Sequence, residues 1–208
     1  MSQLMACQNA NGIVLAADGQ AIDFDPQGRM IELTVDRLVQ LSHHTAILTG
    51  GAADGVSMCH GLENFIREEG LDNIEEVYGA ALPFLTTEFE RFMLKRCEVL
   101  PVDPIHHVFF VLAGYTEKDP QRPYRLHLVW TKKKLPQLDG DEISFAYTAP
   151  RIMGLEYKLN RLCRENAPLG ELLSIIKEGM EGVAKTQDEV GPPFRYAFIT
   201  RSGFQTAT

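Results

Sequence analysis

The order of elements along the chain predicts an α+β protein, built as a four-layer α-β-β-α sandwich of two antiparallel sheets. Strand-like runs fill the first fifty residues, two helical stretches follow, and then come strands, two further helices and a last strand. Strand and helix blocks that are segregated in this way favour antiparallel sheets with helices outside them over alternating βαβ units. Each helix pair would then cover one outer face of two stacked sheets.

The first part of the chain contains five short apolar or alternating runs. Such runs predict strands, because side chains along a half-buried strand alternate between its two faces. They cover residues 4–7, 12–17, 30–35, 37–41 and 45–49. Polar residues at 9–11, and at 23–28 with Pro26, predict turns between them.

Two helices are predicted next. Residues 52–69 form the first, which ends at a glycine, and apolar residues at helical spacing over 74–93 form the second. Asp72 or Asn73 is the predicted N-cap of the second helix. Pro83 lies inside that helix and is predicted to kink it or divide it in two.

The second half of the chain repeats the alternation of strand and helix blocks. Strands are predicted over residues 107–115, 124–131 and 143–147, with an Asp139-Gly140 turn between the last two. Two amphipathic helices are predicted over 152–162 and 169–183. Gly191-Pro192-Pro193 interrupts the pattern, and residues 194–200 are predicted to close the fold as a strand.

Composition indicates a single globular domain over residues 1–208, with no repeat, linker or low-complexity tract. A net charge of −8 argues against a nucleic-acid-binding protein, which normally has a basic face. No apolar run approaches the roughly 20 residues of a membrane helix, and no secretory signal is visible. The four scattered cysteines, without a Cys-x-x-Cys pair, predict reduced thiols and a cytoplasmic protein.

Adjacent histidines raise the question of a metal site, which the sequence does not favour. The pairs are His43-His44 and His106-His107. Neighbouring residues on a strand point to opposite faces, so one pair cannot readily share a metal ion. We therefore predict no metal and no other cofactor.

Three sequence blocks in the first quarter of the chain carry a family resemblance. They are Gly12-Ile-Val-Leu-Ala-Ala-Asp-Gly-Gln-Ala21, Val35-Asp-Arg-Leu-Val-Gln-Leu41 and Leu48-Thr-Gly-Gly-Ala-Ala-Asp54. In this order and spacing they resemble the β-type subunits of the 20S proteasome and their bacterial relatives, which are N-terminal-nucleophile hydrolases. The resemblance implies a divergent bacterial member with the four-layer fold. Beyond these blocks the chain matches the family in element order.

The resemblance implies five catalytic positions. Ser2 stands where the family has its N-terminal threonine, and Asp18, sixteen residues later, stands at its acidic partner. Arg37 falls on the active-site lysine, displaced by a short insertion, and Gly50 falls on the oxyanion-hole glycine. Asp188 resembles the late aspartate before the final strand.

These residue types suit an acyl transfer in which the nucleophile carries its own base. Once Met1 is removed, which the small serine favours, the α-amine of Ser2 has a pKa of about 8 and accepts the hydroxyl proton. Arg37 would keep that amine neutral by like-charge repulsion, and Asp18 would hold the arginine. The Gly50 N–H would stabilise the oxyanion, which is worth roughly 3 kcal/mol in comparable sites.

The resemblance also implies which residues form the substrate pocket beside the nucleophile, which substrate is bound and how the chain assembles. Ala21, Val35, Leu48 and Ala52 are the implied substrate-binding residues, and all are apolar. They predict preference for an apolar side chain before the cleaved bond. The implied activity is threonine-type endopeptidase chemistry on a peptide or unfolded protein, in a homo-oligomer such as a ring.

Departures from the family pattern leave two other functions open. Arg37 is too basic to exchange a proton, unlike a lysine. Serines that support the nucleophile in the family are replaced, by the stretch from Tyr147 to Gly154 and by Gly191. The chain is therefore either an active peptidase or a catalytically silent structural protein of the same fold. A third interpretation is an amidase acting on a small molecule, since fold does not fix function.

Overall fold

The computed structural model describes residues 2–24, 29–97, 108–131 and 137–207. Part of the predicted turn and insertion at 25–28 lies outside these ranges, as do His106 and His107. The strands are β1 Leu4–Asn9, β2 Gly12–Ala17, β3 Gln20–Phe24, β4 Met30–Thr34, β5 Leu38–Gln40, β6 Thr45–Gly51, β7 Val108–Tyr115, β8 Tyr124–Trp130, β9 Asp139–Ile143, β10 Ala146–Ala149, β11 Arg195–Thr200 and β12 Gly203–Ala207. The helices are α1 Asp54–Glu69, α2 Ile74–Cys97, α3 Met153–Arg164 and α4 Leu169–Ala184.

The described strands form two five-stranded sheets and one hairpin, and every pairing is antiparallel. The first sheet has the order β10-β1-β2-β11-β12, and the second has the order β5-β6-β7-β8-β9. The hairpin consists of β3 and β4. The predicted α+β class with antiparallel sheets and four helices is therefore confirmed.

Alternation along β1 explains why this strand is buried on both faces. Leu4 and Ala6 belong to a cluster that they share with side chains of the second sheet. Met5 and Cys7 belong to another cluster, which contains the inward side chains of α3 and α4. A third cluster joins the second sheet to α1 and α2. Since side chains alternate along a strand, one run of sequence supplies two separate cores.

Helix α2 is one helix from Ile74 to Cys97, so the predicted division at Pro83 is wrong. Apolar side chains on both sides of the proline, including Val77 and Phe89, pack in the same cluster. Asn73 is the N-cap, since its side-chain oxygen accepts the Glu75 N–H at 3.0 Å.

Three strands, β3, β9 and β12, were not predicted, and one turn was misplaced. Strand β3 pairs with β4, and β12 pairs with β11. The Asp139-Gly140 pair belongs to β9, where Asp139 lies opposite Trp130 of β8. Between β9 and β10 the chain passes from the second sheet to the first. No helix among the described residues is long and apolar enough to cross a membrane.

Candidate active site

Ser2 lies just before β1, at one end of the two large sheets. Its hydroxyl oxygen accepts a hydrogen bond from the Gly51 N–H, at 3.0 Å, although Gly51 ends β6 in the opposite sheet. Only 3% of Ser2 is exposed. The N–H of Gly51 is thus the main-chain donor beside the candidate nucleophile.

The sequence predicted Gly50 as the donor, whereas the N–H that contacts the Ser2 hydroxyl is that of the next residue, Gly51. A side-chain carbon on Gly50 would lie 2.2 Å from the Phe109 ring, so the Gly50 α-carbon packs closely against that ring. Gly51 has φ +89°, a conformation that favours glycine because it has no side chain. Both glycines are needed, one for packing and one for the turn of the backbone toward Ser2.

Asp18 follows β2 and is fully buried beside the start of β1. Its Oδ1 accepts the Gln3 N–H at 2.8 Å, and its own N–H donates to the Gln3 carbonyl at 3.1 Å. Burial raises the pKa of Asp18 to about 6, against the smaller lowering effects of the Gln3 N–H and the Arg37 charge. Asp18 therefore fixes the main chain next to Ser2 and is ionised above about pH 6.

Arg37 precedes β5 and places its guanidinium against Asp18. Its Nε lies 3.7 Å from Asp18 Oδ1, its Nη2 donates to the Gln20 carbonyl at 3.3 Å, and 2% of the residue is exposed. Burial lowers the pKa of Arg37, and Asp18 partly offsets that effect. Arg37 Nε and Nη1 and Asp18 Oδ2 are buried without a hydrogen-bond partner among the described residues.

Asp188 does not join this group. It lies exposed in the turn between α4 and β11, and the described residues give it no hydrogen bond or ion pair with Ser2, Asp18 or Arg37. The same loop reaches the site through Gly191, whose carbonyl accepts the Gly19 N–H at 3.2 Å.

The four implied substrate-binding residues do not share one pocket wall. Ala21 is buried in β3, and Val35 is half-buried, with its N–H donating to the Gly19 carbonyl at 2.9 Å. Ala52 is half-buried against the cluster of α1 and α2. Leu48 is fully buried between the two large sheets and has no surface to offer a substrate.

A buried acid beside the site was not predicted from the sequence. Glu156 of α3 accepts the Thr148 N–H at 2.9 Å and the Thr148 hydroxyl at 2.8 Å, and it pairs with Arg151. The loop held in this way presents the Pro150 carbonyl to the Gln3 side-chain amide at 3.3 Å. The spacing of these residues does not predict the hydrogen-bond network, because its members come from a strand, a loop and a helix.

No metal centre is found in the part of the chain that the structure describes, where no three histidine, cysteine or acidic side chains lie together. The imidazole of His44 is hydrogen-bonded to Asp72, at 2.6 Å.

Comparisons with known proteins show a similarity of fold. No protein-family model matches the sequence, and no curated protein matches it. One similar solved structure is the Anbu (Gly-1) mutant from Hyphomicrobium sp. strain MC1, with 13% sequence identity and a TM-score of 0.67. The match covers 100% of this chain and 85% of that chain.

This comparison corrects the family assignment. Membership of the β-type subunits of the 20S proteasome is wrong, because no sequence comparison supports it and a solved structure with a similar fold is that of Anbu. Anbu is a proteasome-like relative of the N-terminal-nucleophile hydrolases. The chain therefore has a proteasome-like fold.

Proposed function

We propose that the chain is a peptidase subunit that hydrolyses peptide bonds through Ser2, after removal of Met1. The observation that carries the proposal is the 3.0 Å hydrogen bond from the Gly51 N–H to the Ser2 hydroxyl. The oxyanion forms on the carbonyl oxygen of the carbon that Ser2 attacks, so a main-chain donor beside the Ser2 oxygen is near enough to turn to it.

The reaction follows from an N-terminal hydroxyl and amine. The α-amine of Ser2 takes the hydroxyl proton as the oxygen attacks the peptide carbonyl, and that proton passes to the departing amine. An ester on Ser2 remains, which water then hydrolyses. Gly51 takes the role predicted for Gly50, Arg37 keeps the amine neutral, and Asp18 holds Arg37.

The architecture and assembly belong to the same proposal. The clusters between the two large sheets, and between each sheet and its helix pair, support a four-layer α-β-β-α sandwich in one domain. Met153 and Tyr157, 70% and 75% exposed and one turn apart on α3, support association with further copies. We place this homo-oligomer, with ring geometry, in the cytoplasm.

Covalent labelling of Ser2 tests the proposal. Native protein should lack the mass of Met1, and a peptide epoxyketone should label the wild type but not Ser2→Ala. Ser202→Ala, at an exposed serine in the turn before β12, is the matched control and should be labelled like the wild type. Retained Met1, or equal labelling of Ser2→Ala, contradicts the proposal. Fluorogenic peptides with apolar residues before the cleaved bond should be cleaved faster than charged ones.

A catalytically silent structural protein is the second candidate. Arg37 favours it, because its guanidinium cannot relay protons. Two nitrogens of that guanidinium are also buried without a hydrogen-bond acceptor among the described residues. This function predicts a defined assembly, no labelling of Ser2 and no hydrolysis of any peptide in the series.

A further inference from the structure

A small aromatic pocket lies outside the set of residues assigned to the reaction. It has a volume of about 120 Å³. Its lining consists of Val108, Phe109, Leu128, Trp130, Thr131 and Tyr147. We call it the aromatic pocket.

Strand pairing puts the aromatic pocket next to Ser2. Gly51, which donates to Ser2, lies directly opposite Val108, and Gly50 lies opposite Phe109. Paired residues of antiparallel strands have α-carbons only about 5 Å apart. The first sheet reaches the pocket through Tyr147, which lies opposite Ala6 of β1. The pocket thus adjoins the end of the second sheet that contacts Ser2, while in the first sheet Tyr147 lies opposite a residue four positions along the chain from Ser2.

The lining indicates what the aromatic pocket can hold. Phe109, Leu128 and Tyr147 pack against the cluster between the sheets, and Trp130 keeps 38% of its surface exposed at the rim. None of the described residues that line it is charged. The Thr131 hydroxyl is buried without a hydrogen-bond partner among the described residues. Apolar cavities of about 150 Å³ accept a benzene ring, so an aromatic or branched aliphatic side chain is of suitable size.

The side on which the pocket lies identifies the substrate residue. Ala21 and Val35, the residues implied for the side chain before the bond, lie beside Gly19 and Gln20, past the end of β2. Tyr147 lies in β10, and β1 separates β10 from β2. A peptide that crosses Ser2 therefore places its two central side chains on opposite sides. We propose that the aromatic pocket binds the aromatic or branched aliphatic side chain of the residue after the cleaved bond, an inference that rests on the proposed peptidase function.

The test uses Trp130, the only tryptophan of the chain, as its reporter. The full-length Ser2→Ala variant is titrated with phenylalanine amide, which carries the free amino group of the departing product, and with alanine amide. We expect a saturable change of tryptophan emission with phenylalanine amide alone. Tyr147→Leu should weaken this binding about tenfold, as expected for loss of an aromatic contact. Tyr196→Leu, in β11 against the cluster that contains α3 and α4, should leave it unchanged.

Hydrolysis gives the second measurement and separates the two proposals. Peptides that differ only after the cleaved bond should show higher kcat/KM with phenylalanine or leucine than with alanine, and Tyr147→Leu should reduce that ratio. Emission changes without any hydrolysis support the pocket and overturn only the role of Ser2. Hydrolysis without preference, together with unchanged emission, overturns the pocket and leaves the peptidase intact.

Discussion

Replacing Arg37 by methionine should destabilise the protein to an extent that depends on pH. Methionine keeps an unbranched apolar stem but removes the charge that faces the buried Asp18 carboxylate, 3.7 Å away. Breaking a buried ion pair from one side leaves the other charge without its partner in a medium that solvates it poorly. The cost therefore exists only where Asp18 is ionised in the wild type.

The magnitude follows from the pKa of Asp18. A charge pair near 4 Å is worth about 4 kcal/mol at an effective dielectric constant of 20, which equals roughly 3 pKa units. Without Arg37, the pKa of Asp18 thus rises from about 6 to well above neutrality. At about pH 7.5 the wild-type carboxylate lies roughly 1.5 units above its pKa, so the variant loses about 2 kcal/mol there. At about pH 5 the carboxyl is already protonated, and this loss disappears.

The sign follows from linkage. Burial raises the native pKa of Asp18 above its ordinary value of 3.8, so the folded protein binds this proton more tightly than the unfolded chain does. The resulting contribution to the free energy of unfolding is fully present below about pH 4 and is lost as the pH rises through about 6. In Arg37→Met this loss continues to higher pH. The wild type and the variant should therefore separate above pH 6, with the wild type the more stable.

Urea unfolding of both proteins at about pH 5 and pH 7.5 measures this difference. Arg122→Met is the control: Arg122 is 54% exposed in its pair with Glu142, so its loss should cost under about 1 kcal/mol at both pH values. A loss for Arg37→Met that is the same at both pH values, or larger at the lower one, would refute the ionised Asp18–Arg37 pair.

Three further predictions concern the candidate site and its support. Gly51→Ala should lower kcat for a fluorogenic peptide about 10²–10³-fold, because φ +89° is strained for alanine and the donor to Ser2 moves; an unchanged kcat would assign the oxyanion to another group. Hydrolysis by the wild type should fall as the pH drops below about 6, where Asp18 takes up a proton, and a pH profile that stays flat to pH 5 would contradict that role. Glu156→Gln should lower the free energy of unfolding by about 1–3 kcal/mol, because Arg151 loses its charged partner, and equal denaturation midpoints would count against the buried network.

Local pattern was enough to predict the interior strands and all four helices. Strands β1 and β2 have both faces buried and each contains a continuous apolar run, and helix α4 repeats apolar residues at helical spacing. Burial therefore produces apolar patterns that can be recognised in the sequence. The missed strands, β3, β9 and β12, each pair with a single neighbour. Such strands bury less surface, and their sequences need not alternate.

The sequence pointed to Gly50 where the structure places the N–H of Gly51 against Ser2, and strand geometry explains that difference. Neighbouring residues on a strand face opposite ways, so a shift of one position exchanges their roles. Gly50 and Gly51 demonstrate this, since one packs on Phe109 and the other donates to Ser2. Asp188 shows a second limit, because spacing in a loop does not fix the direction of a side chain.

Arg37 restricts how the proposed reaction can run. Its guanidinium stays protonated at any pH at which the protein is folded, so it cannot take the proton of the Ser2 hydroxyl. The base must then be the α-amine, whose ordinary pKa is about 8 and which the Arg37 charge would hold lower in the proposed reaction. Protonation of Asp18 near pH 6 leaves the Arg37 charge without its buried partner. The departure from lysine therefore assigns the proton transfer to the amine of Ser2 and confines the arginine to electrostatics.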